Sequence, residues 1–213
     1  MAREAISVAV VRRLPRYYRY FEMLERESVQ RISSGELAAR MGLTASQIRQ
    51  DFNCFGGFGQ QGYGYNVSEL RQRFFEIMGL YQPHKAILVG VGNLGRALLG
   101  SFNFEKRGVS LVAAFDTAET VIGRQYGELV VQPMSALSAF LQEAQPSVAV
   151  LTIPREVAES VAAQLAREGI VGIWNFTSID LHLQNPDILV ENVHFGDTLA
   201  TLSYRLSQNQ KEV

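Results

Sequence analysis

"ILVGVGNLGRAL", residues 87–98, is the stretch on which the fold turns. An apolar strand runs into Gly-x-Gly-x-x-Gly and on into the start of a helix. Gly90 permits a tight bend, Gly92 lets the backbone approach a pyrophosphate, and Gly95 lets the helix pack close to the strand. N–H groups near Asn93 and Leu94 then face phosphate oxygens at the helix N-terminus, and Val91 and Arg96 complete the expected contacts of the turn. The next strand, "VSLVAAFD" (109–116), closes on Asp116, 21 residues past Gly95. A carboxylate there binds both ribose hydroxyls and repels a 2'-phosphate, and the neighbouring Thr117 supplies no compensating cation. NAD(H) is therefore expected rather than NADP(H). The competing reading is a Rossmann-like domain that binds no dinucleotide.

Downstream the chain alternates. Strand "AILVGV" leads to helix "NLGRALLGSF", and "VSLVAAFD" is followed by a short strand near "ELVV". Helix "SALSAFLQEA" precedes strand "SVAVLTI", and helix "REVAESVAAQLAREG" precedes "VGIWNF". Apolar strands separated by helices imply a parallel sheet covered on both faces. "GDTLATLSYRLSQNQ" (196–210) then reads as an amphipathic helix with Leu199, Leu202 and Leu206 along one side.

About 85 residues precede the glycine turn, and they follow another plan. In "LPRYYRYFEMLERE" Pro15 suits a first helical turn, and Tyr17, Tyr20, Phe21 and Leu24 recur at helical spacing. "SSGELAARMG" has the Ser33/Glu36 spacing of a capping box and stops at Gly42; Thr44 and Gln47 repeat the device in "TASQIRQDFN". Two short helices joined by a tight Gly-Leu turn make a helix-turn-helix. "FGGFGQQGYGY" (55–65) is dense in glycines and aromatics, which predicts a tight β-hairpin and so a winged helix. Asn66 opens a last helix with Glu69 three residues on and Leu70, Phe74 and Ile77 on one face, ending at Gly79; "YQPH" (81–84) reads as a linker. The expected division is 1–80 for the winged helix, 85–195 for the dinucleotide domain and 196–213 for the C-terminal helix.

Composition agrees with a globular α/β chain: 47% of residues are hydrophobic and 19% charged. The net charge of -1 hides an asymmetry, since residues 1–85 hold 12 Lys+Arg against 8 Asp+Glu, nearly all of the cations being arginines. Such a segment suits a polyanion. With one cysteine, Cys54, an intrachain disulfide is impossible, and no apolar run reaches membrane length or marks a signal peptide, so a cytoplasmic protein is expected. His84, His182 and His194 sit in no catalytic pattern, no Cys/His cluster has metal-ligand spacing, and no enzyme or metal site is expected.

Along the second helix of the helix-turn-helix, Ile48 and Phe52 are expected to pack inward. Ser46, Gln47, Arg49, Gln50 and Asn53 are left outward, and they are base-reading types: Arg suits guanine, while Gln and Asn suit adenine. A merely solvated polar face is the alternative that residue types alone leave open.

These stretches together, with "RRLPRYYRYFE" (12–22), "FGGFGQQGYGYNV" (55–67), "IPREVAESVAAQLAREGI" (153–170) and "NFTSIDL" (175–181), resemble the Rex family of redox-sensing transcriptional repressors over nearly the whole chain. The resemblance implies a homodimer on a palindromic DNA operator, released by NADH and permitted by NAD+, with a C-terminal helix swapped onto the partner subunit. It extends the expected nucleotide contacts to Thr152, Pro154, Asn175 and Phe176, and the DNA surface to Ser33, Ser34, Gln60, Gln61 and Tyr63. Departures from the family pattern stand at Gln50, Gln60 and Gln61, where cations are usual. They also stand at Ser101 and His194, where a Tyr and an Asp are usual, with Arg19 aligned to the arginine that pairs with that Asp. Two readings therefore remain beside the redox sensor: a DNA-binding regulator of the same kind with weakened or altered nucleotide control, and a nucleotide-binding enzyme with an N-terminal assembly domain.

Overall fold

The structure is a computed structural model that describes residues 6–58 and 63–209. The chain forms two compact units, Met1–Gln82 and Pro83–Val213. The first is a winged helix-turn-helix and the second a Rossmann-like α/β domain ending in a helix.

In the first unit α1 (Val8–Arg26) starts earlier than expected, and Pro15 lies inside it rather than in its first turn. Ser7 caps the helix, its hydroxyl accepting the Val10 N–H. The buried positions Val10, Leu14, Tyr17, Tyr18, Phe21 and Leu24 show why: the apolar stripe extends back past Leu14. Its burial outweighs the roughly 3 kcal/mol that an interior proline costs. β1 (Arg31–Ile32) follows, then α2 (Ser34–Met41), whose Ser33/Glu36 capping box is complete and whose stop is the left-handed Gly42. α3 (Ala45–Asn53) is capped by Thr44, but only half of the second box forms, because the Gln47 side chain turns inward instead.

The centre of the expected hairpin, residues 59–62, lies outside the described residues. β2 (Tyr65–Asn66) pairs antiparallel with β1, Arg31 opposite Asn66 and Ile32 opposite Tyr65. Gly64 makes this possible: its φ is +68°, and a Cβ there would sit 3.0 Å from the Ile32 carbonyl oxygen. Gln60 and Gln61 lie outside the described residues. α4 (Val67–Ile77), capped by Asn66, closes the unit. Its core is aromatic: Phe52 meets Tyr17, Tyr65 and Phe74 edge-on at ring separations of 5.2–5.4 Å.

The second unit is built on β3 (His84–Val89), β4 (Val109–Asp116), β5 (Gln125–Tyr126), β6 (Leu129–Pro133), β7 (Val148–Leu151), β8 (Gly172–Asn175) and β9 (Leu189–Asn192). The sheet order is β5-β6-β4-β3-β7-β8-β9, parallel except for the β5 edge. Successive side chains alternate between two cores. Ile87, Val89, Phe115 and Leu151 face α6 (Leu137–Ala144) and α7 (Arg155–Arg167). Leu88, Ala114 and Val150 pack with Leu98 of α5 (Asn93–Ser101). β5 and β9, absent from the sequence reading, extend the two edges. α8 (Phe195–Asn209) ends the described chain with no buried residue.

Candidate functional site

The helix-turn-helix presents one face of α3. Ile48 and Phe52 are buried, and Ser46, Arg49, Gln50 and Asn53 are exposed. Arg49 Nη1 donates to Ser34 Oγ at 3.0 Å, which brings two of the expected DNA residues together from α3 and α2. Ser33 serves its own helix, its hydroxyl accepting the Glu36 N–H. Tyr63 is exposed, and its carbonyl accepts from the Arg31 guanidinium at 3.1 Å.

Gln47 differs from its neighbours. It is half-buried, and its amide nitrogen donates to Asp51 Oδ1 at 2.7 Å. The reading of the residues did not single out Asp51, which lies on the inner face of α3 and is 1% exposed. Arg13 grips it with Nε to Oδ2 at 2.6 Å and Nη2 to Oδ1 at 2.8 Å, and the Tyr17 hydroxyl donates to Oδ2 at 2.7 Å. Four donors thus satisfy one buried carboxylate. Burial alone raises the Asp51 carboxyl; the bonds from Arg13, Tyr17 and Gln47 overcome that and hold it below the ordinary carboxylate range. Tyr17 is pushed up, first by burial and then by its bond to Asp51. A visible signal was available: an acid one turn from Ile48, between buried positions, facing an arginine-rich first helix.

In the second unit the strand order reverses at β3 and β7, and a cleft of about 920 Å³ opens at their C-terminal ends. That is the ligand crevice of open α/β sheets, and the volume suits a nucleotide. Gly90, Val91, Gly92, Arg96, Asp116, Thr152 and Pro154 line it. Two glycines are required by sterics. Gly90 has φ +96° and a Cβ there would meet the Thr152 oxygen at 2.6 Å; a Cβ on Gly95 would meet the Gly90 oxygen at 2.1 Å. Gly92 faces open space and carries no side-chain cap, so the first-turn N–H groups of α5 lack acceptors from that source. This cradle fits a pyrophosphate. The Thr152 hydroxyl donates to the Gly90 carbonyl and clamps the two strand ends together.

Asp116 is placed at the cleft but is already engaged. Its carboxylate accepts the Val91 N–H from the glycine turn and the Ala118 N–H at 2.7 Å. Beyond it Thr117 continues into a wall of Thr120, Met134, Val157 and Ser160, four residues that the sequence reading missed.

Asn175 and Phe176 are not among the lining residues. Asn175 is fully buried and donates to the Ile179 carbonyl and to Asn192 Oδ1, both at 2.8 Å, while its oxygen accepts from Thr177. It braces the end of β8 against β9. Phe176 packs between Trp174 and Phe195. Asn93 and Leu94 lie in the first turn of α5, where Asn93 Oδ1 accepts from the Arg96 guanidinium. Of the three expected switch residues, Arg19 is exposed on α1 and Ser101 is exposed at the end of α5. His194 bonds Asp180 through Nε2 at 2.8 Å, and that carboxylate raises it above the ordinary imidazole range. Among the described residues no group of three His, Cys, Asp or Glu is arranged to hold a metal, and no helix is long and apolar enough to cross a membrane.

Comparison with known proteins places both units. A family described as "Putative DNA-binding protein N-terminus" matches residues 5–53, and the CoA binding domain family matches residues 81–179. The redox-sensing transcriptional repressor Rex of Caldicellulosiruptor saccharolyticus is 48% identical over 207 residues, which are 97% of this chain and 94% of that protein. The protein of the same name from Thermoanaerobacter pseudethanolicus is 46% identical over 205 residues, 96% of this chain and 91% of its own. A crystal structure of RSP in complex with β-NAD+ and operator DNA has a TM-score of 0.90 at 45% identity, covering 97% of this chain and 95% of that one. RSP in complex with β-NADH also gives 0.90, at 42% identity and 97% coverage of each chain.

The Asp51 cluster generates a pH-dependent prediction. A depressed folded-state pKa contributes stability that is complete above the unfolded carboxyl value of about 3.9 and is lost as pH falls through the folded value. Asp51→Asn is therefore expected to lower the melting temperature near neutral pH. That deficit should hold from about pH 6 to about 4 and shrink as the pH falls from there toward about 2. Thermal melts followed by circular dichroism across that range check it; a deficit independent of pH would show that the Asp51 charge carries none of the stability.

Proposed function

The chain belongs to the Rex family of redox-sensing transcriptional repressors, and from that membership we propose how its two units share the work. Residues 1–80 bind a DNA operator, residues 85–195 bind NAD(H), and residues 196–213 join two copies into a homodimer in the cytoplasm. The protein is a regulator and not an enzyme. NADH binding promotes release from the operator, and NAD+ permits binding. The observation that carries the reading is the coexistence in one chain of an outward polar face on α3 and a glycine cradle at the sheet's switch point.

The roles follow from the geometry. Arg49, seated beside Ser34, is placed to read guanine, and Ser46, Gln50 and Asn53 share its face. The first-turn N–H groups of α5 receive the pyrophosphate. Asp116 keeps the glycine turn in shape through Val91 and offers its remaining lone pairs to the ribose. The nicotinamide supplies the two redox states that are sensed. A ligand shifts DNA affinity only by its differential affinity for the two protein states, so the adenosine half alone cannot report redox state.

A second reading, a regulator with weakened nucleotide control, is favoured by one observation: His194, where the family has an acid, is paired with Asp180. One experiment separates the two. Operator DNA bound to the protein is titrated with NADH, NAD+ and NADPH. NADH is expected to release DNA at concentrations where NAD+ does not. Equal effects of NADH and NAD+ would establish the second reading, and no DNA binding at all would overturn both.

Asp116→Ala is expected to weaken NADH binding by much more than NADPH binding, because it removes both the ribose acceptor and the repulsion of a 2'-phosphate. Calorimetry with the two nucleotides measures this, and unchanged affinities would remove Asp116 from the site. For assembly, the exposed stripe of Phe195, Leu199, Leu202 and Leu206 is the proposed dimer contact. A chain lacking residues 196–213 should be monomeric or aggregated by light scattering and should lose operator binding; a truncated dimer that still held the operator would end this assignment.

A further inference from the structure

The four-donor cluster around Asp51 has a consequence for which base the chain reads. Within the proposed DNA-binding function, on which this inference rests, Gln47 is one residue from Ser46 and two from Arg49 on α3. A glutamine amide has one accepting and one donating end, and which end faces outward decides what it recognises. Here the choice is forced. Asp51 is a buried, ionised carboxylate with Arg13 on it, so it accepts and cannot donate. Only the amide nitrogen of Gln47 can face it, as the 2.7 Å contact to Oδ1 records. Reversing the amide would set its oxygen against the carboxylate and break the bond.

We propose that Asp51 is a specificity-determining positioning residue: it fixes the Gln47 amide so that the oxygen and the second N–H are left as an outward fork. An acceptor beside a donor complements the major-groove edge of adenine, which offers the N6 amino group and the N7 acceptor. Guanine presents two acceptors there and would meet the Gln47 oxygen with repulsion. Arg13 and Tyr17 hold Asp51 from the other side, so the fork is tied through one carboxylate to α1 and does not swing with the surface side chains of α3. Preorganisation of this kind removes an ordering cost at the moment of binding.

The test uses the full-length chain and double-stranded DNA enriched by it from a random pool. Each adenine of the enriched half-site is replaced in turn by purine, which lacks the N6 amino group, or by 7-deazaadenine, which lacks N7. At one adenine per half-site both replacements are expected to weaken the wild-type protein about tenfold. Gln47→Ala should bind the parent DNA about tenfold more weakly and be indifferent to both replacements. Asp51→Asn should become indifferent too, since an asparagine can donate to the Gln47 oxygen and let the amide turn. Tyr17→Phe removes a different bond to the same carboxylate, and it should lose stability but keep the adenine sensitivity, which a purely structural role for Asp51 would not allow. Should Asp51→Asn not fold, side-chain amide exchange in the wild type takes its place. One Gln47 N–H should exchange with solvent at least about tenfold more slowly than those of the exposed Gln50. No enriched DNA would sink the DNA-binding function itself. Enriched DNA with no adenine sensitive to both replacements would sink the fork, and full adenine sensitivity in Asp51→Asn, or Gln47 protons exchanging as fast as those of Gln50, would sink the role of Asp51.

Discussion

One buried carboxylate sets the shape of the DNA-facing unit. Asp51 is 1% exposed on the inner face of α3, where desolvation of a charge costs several kcal/mol unless it is fully bonded. Both its oxygens are used twice, by Arg13, Tyr17 and Gln47. Three of those four bonds come from α1, so the recognition helix has one azimuth and one height against the long helix that crosses it. An aromatic core alone would not do this. Phe52, Phe74, Phe21 and Tyr17 meet edge-on, and apolar packing of that sort tolerates small rotations that directional bonds to a charge do not. A helix that reads base edges needs the stricter constraint, because a rotation of one residue would exchange Arg49 and Asn53 for Ile48 and Phe52.

The second unit solves a similar problem with another acid. Asp116 sits at the end of β4 and accepts the Val91 N–H, which belongs to the glycine turn after the neighbouring strand. The turn would otherwise be a loose run of small residues. With Asp116 on one side and the Thr152 hydroxyl on the Gly90 carbonyl on the other, its backbone is held in the strained conformation that points N–H groups into the cleft. The close approach of Gly95 to the Gly90 oxygen completes the lock, and it leaves no room for any side chain. In each unit, then, the chemistry-bearing element is fixed by a carboxylate from a residue that is not itself a reader of the ligand's distinctive part.

How much of this could be read from the sequence depended on distance along the chain. Caps and stops were legible because their partners are three or four residues apart: Ser33 with Glu36, Thr44 with Gln47, Asn66 with Glu69, and Gly42 as a left-handed stop. The glycine turn and Asp116 were legible because their spacing is a stereochemical requirement of a βαβ unit. The β1–β2 pairing was not legible because β1 is two residues long and its partner lies more than thirty residues away, which no local pattern reports. Pro15 was misread because local chemistry placed it at a helix start while the burial of Val10 extended the helix past it. Asn175 was placed among the ligand contacts by resemblance, whereas its amide is spent tying β8 to β9, a strand that carries no recognisable period. Asp51 lay hidden because its partners come from α1, and a buried ion pair leaves no periodic trace in either helix.

α8 extends the argument to the proposed dimer contact. It has fifteen residues and none of them is buried. An isolated helix of that length is marginal in water, since nucleation is costly and propagation returns little per residue. Phe195, Leu199, Leu202 and Leu206 fall on one stripe, and from Leu199 onward every described residue is exposed. In the proposed dimer an apolar surface supplied by the second copy would stabilise this helix and couple its order to protein concentration. At its start the Phe195 ring stacks on Phe176 at 5.9 Å, directly after Asn175 at the end of β8, and the preceding His194 bonds Asp180 at 2.8 Å.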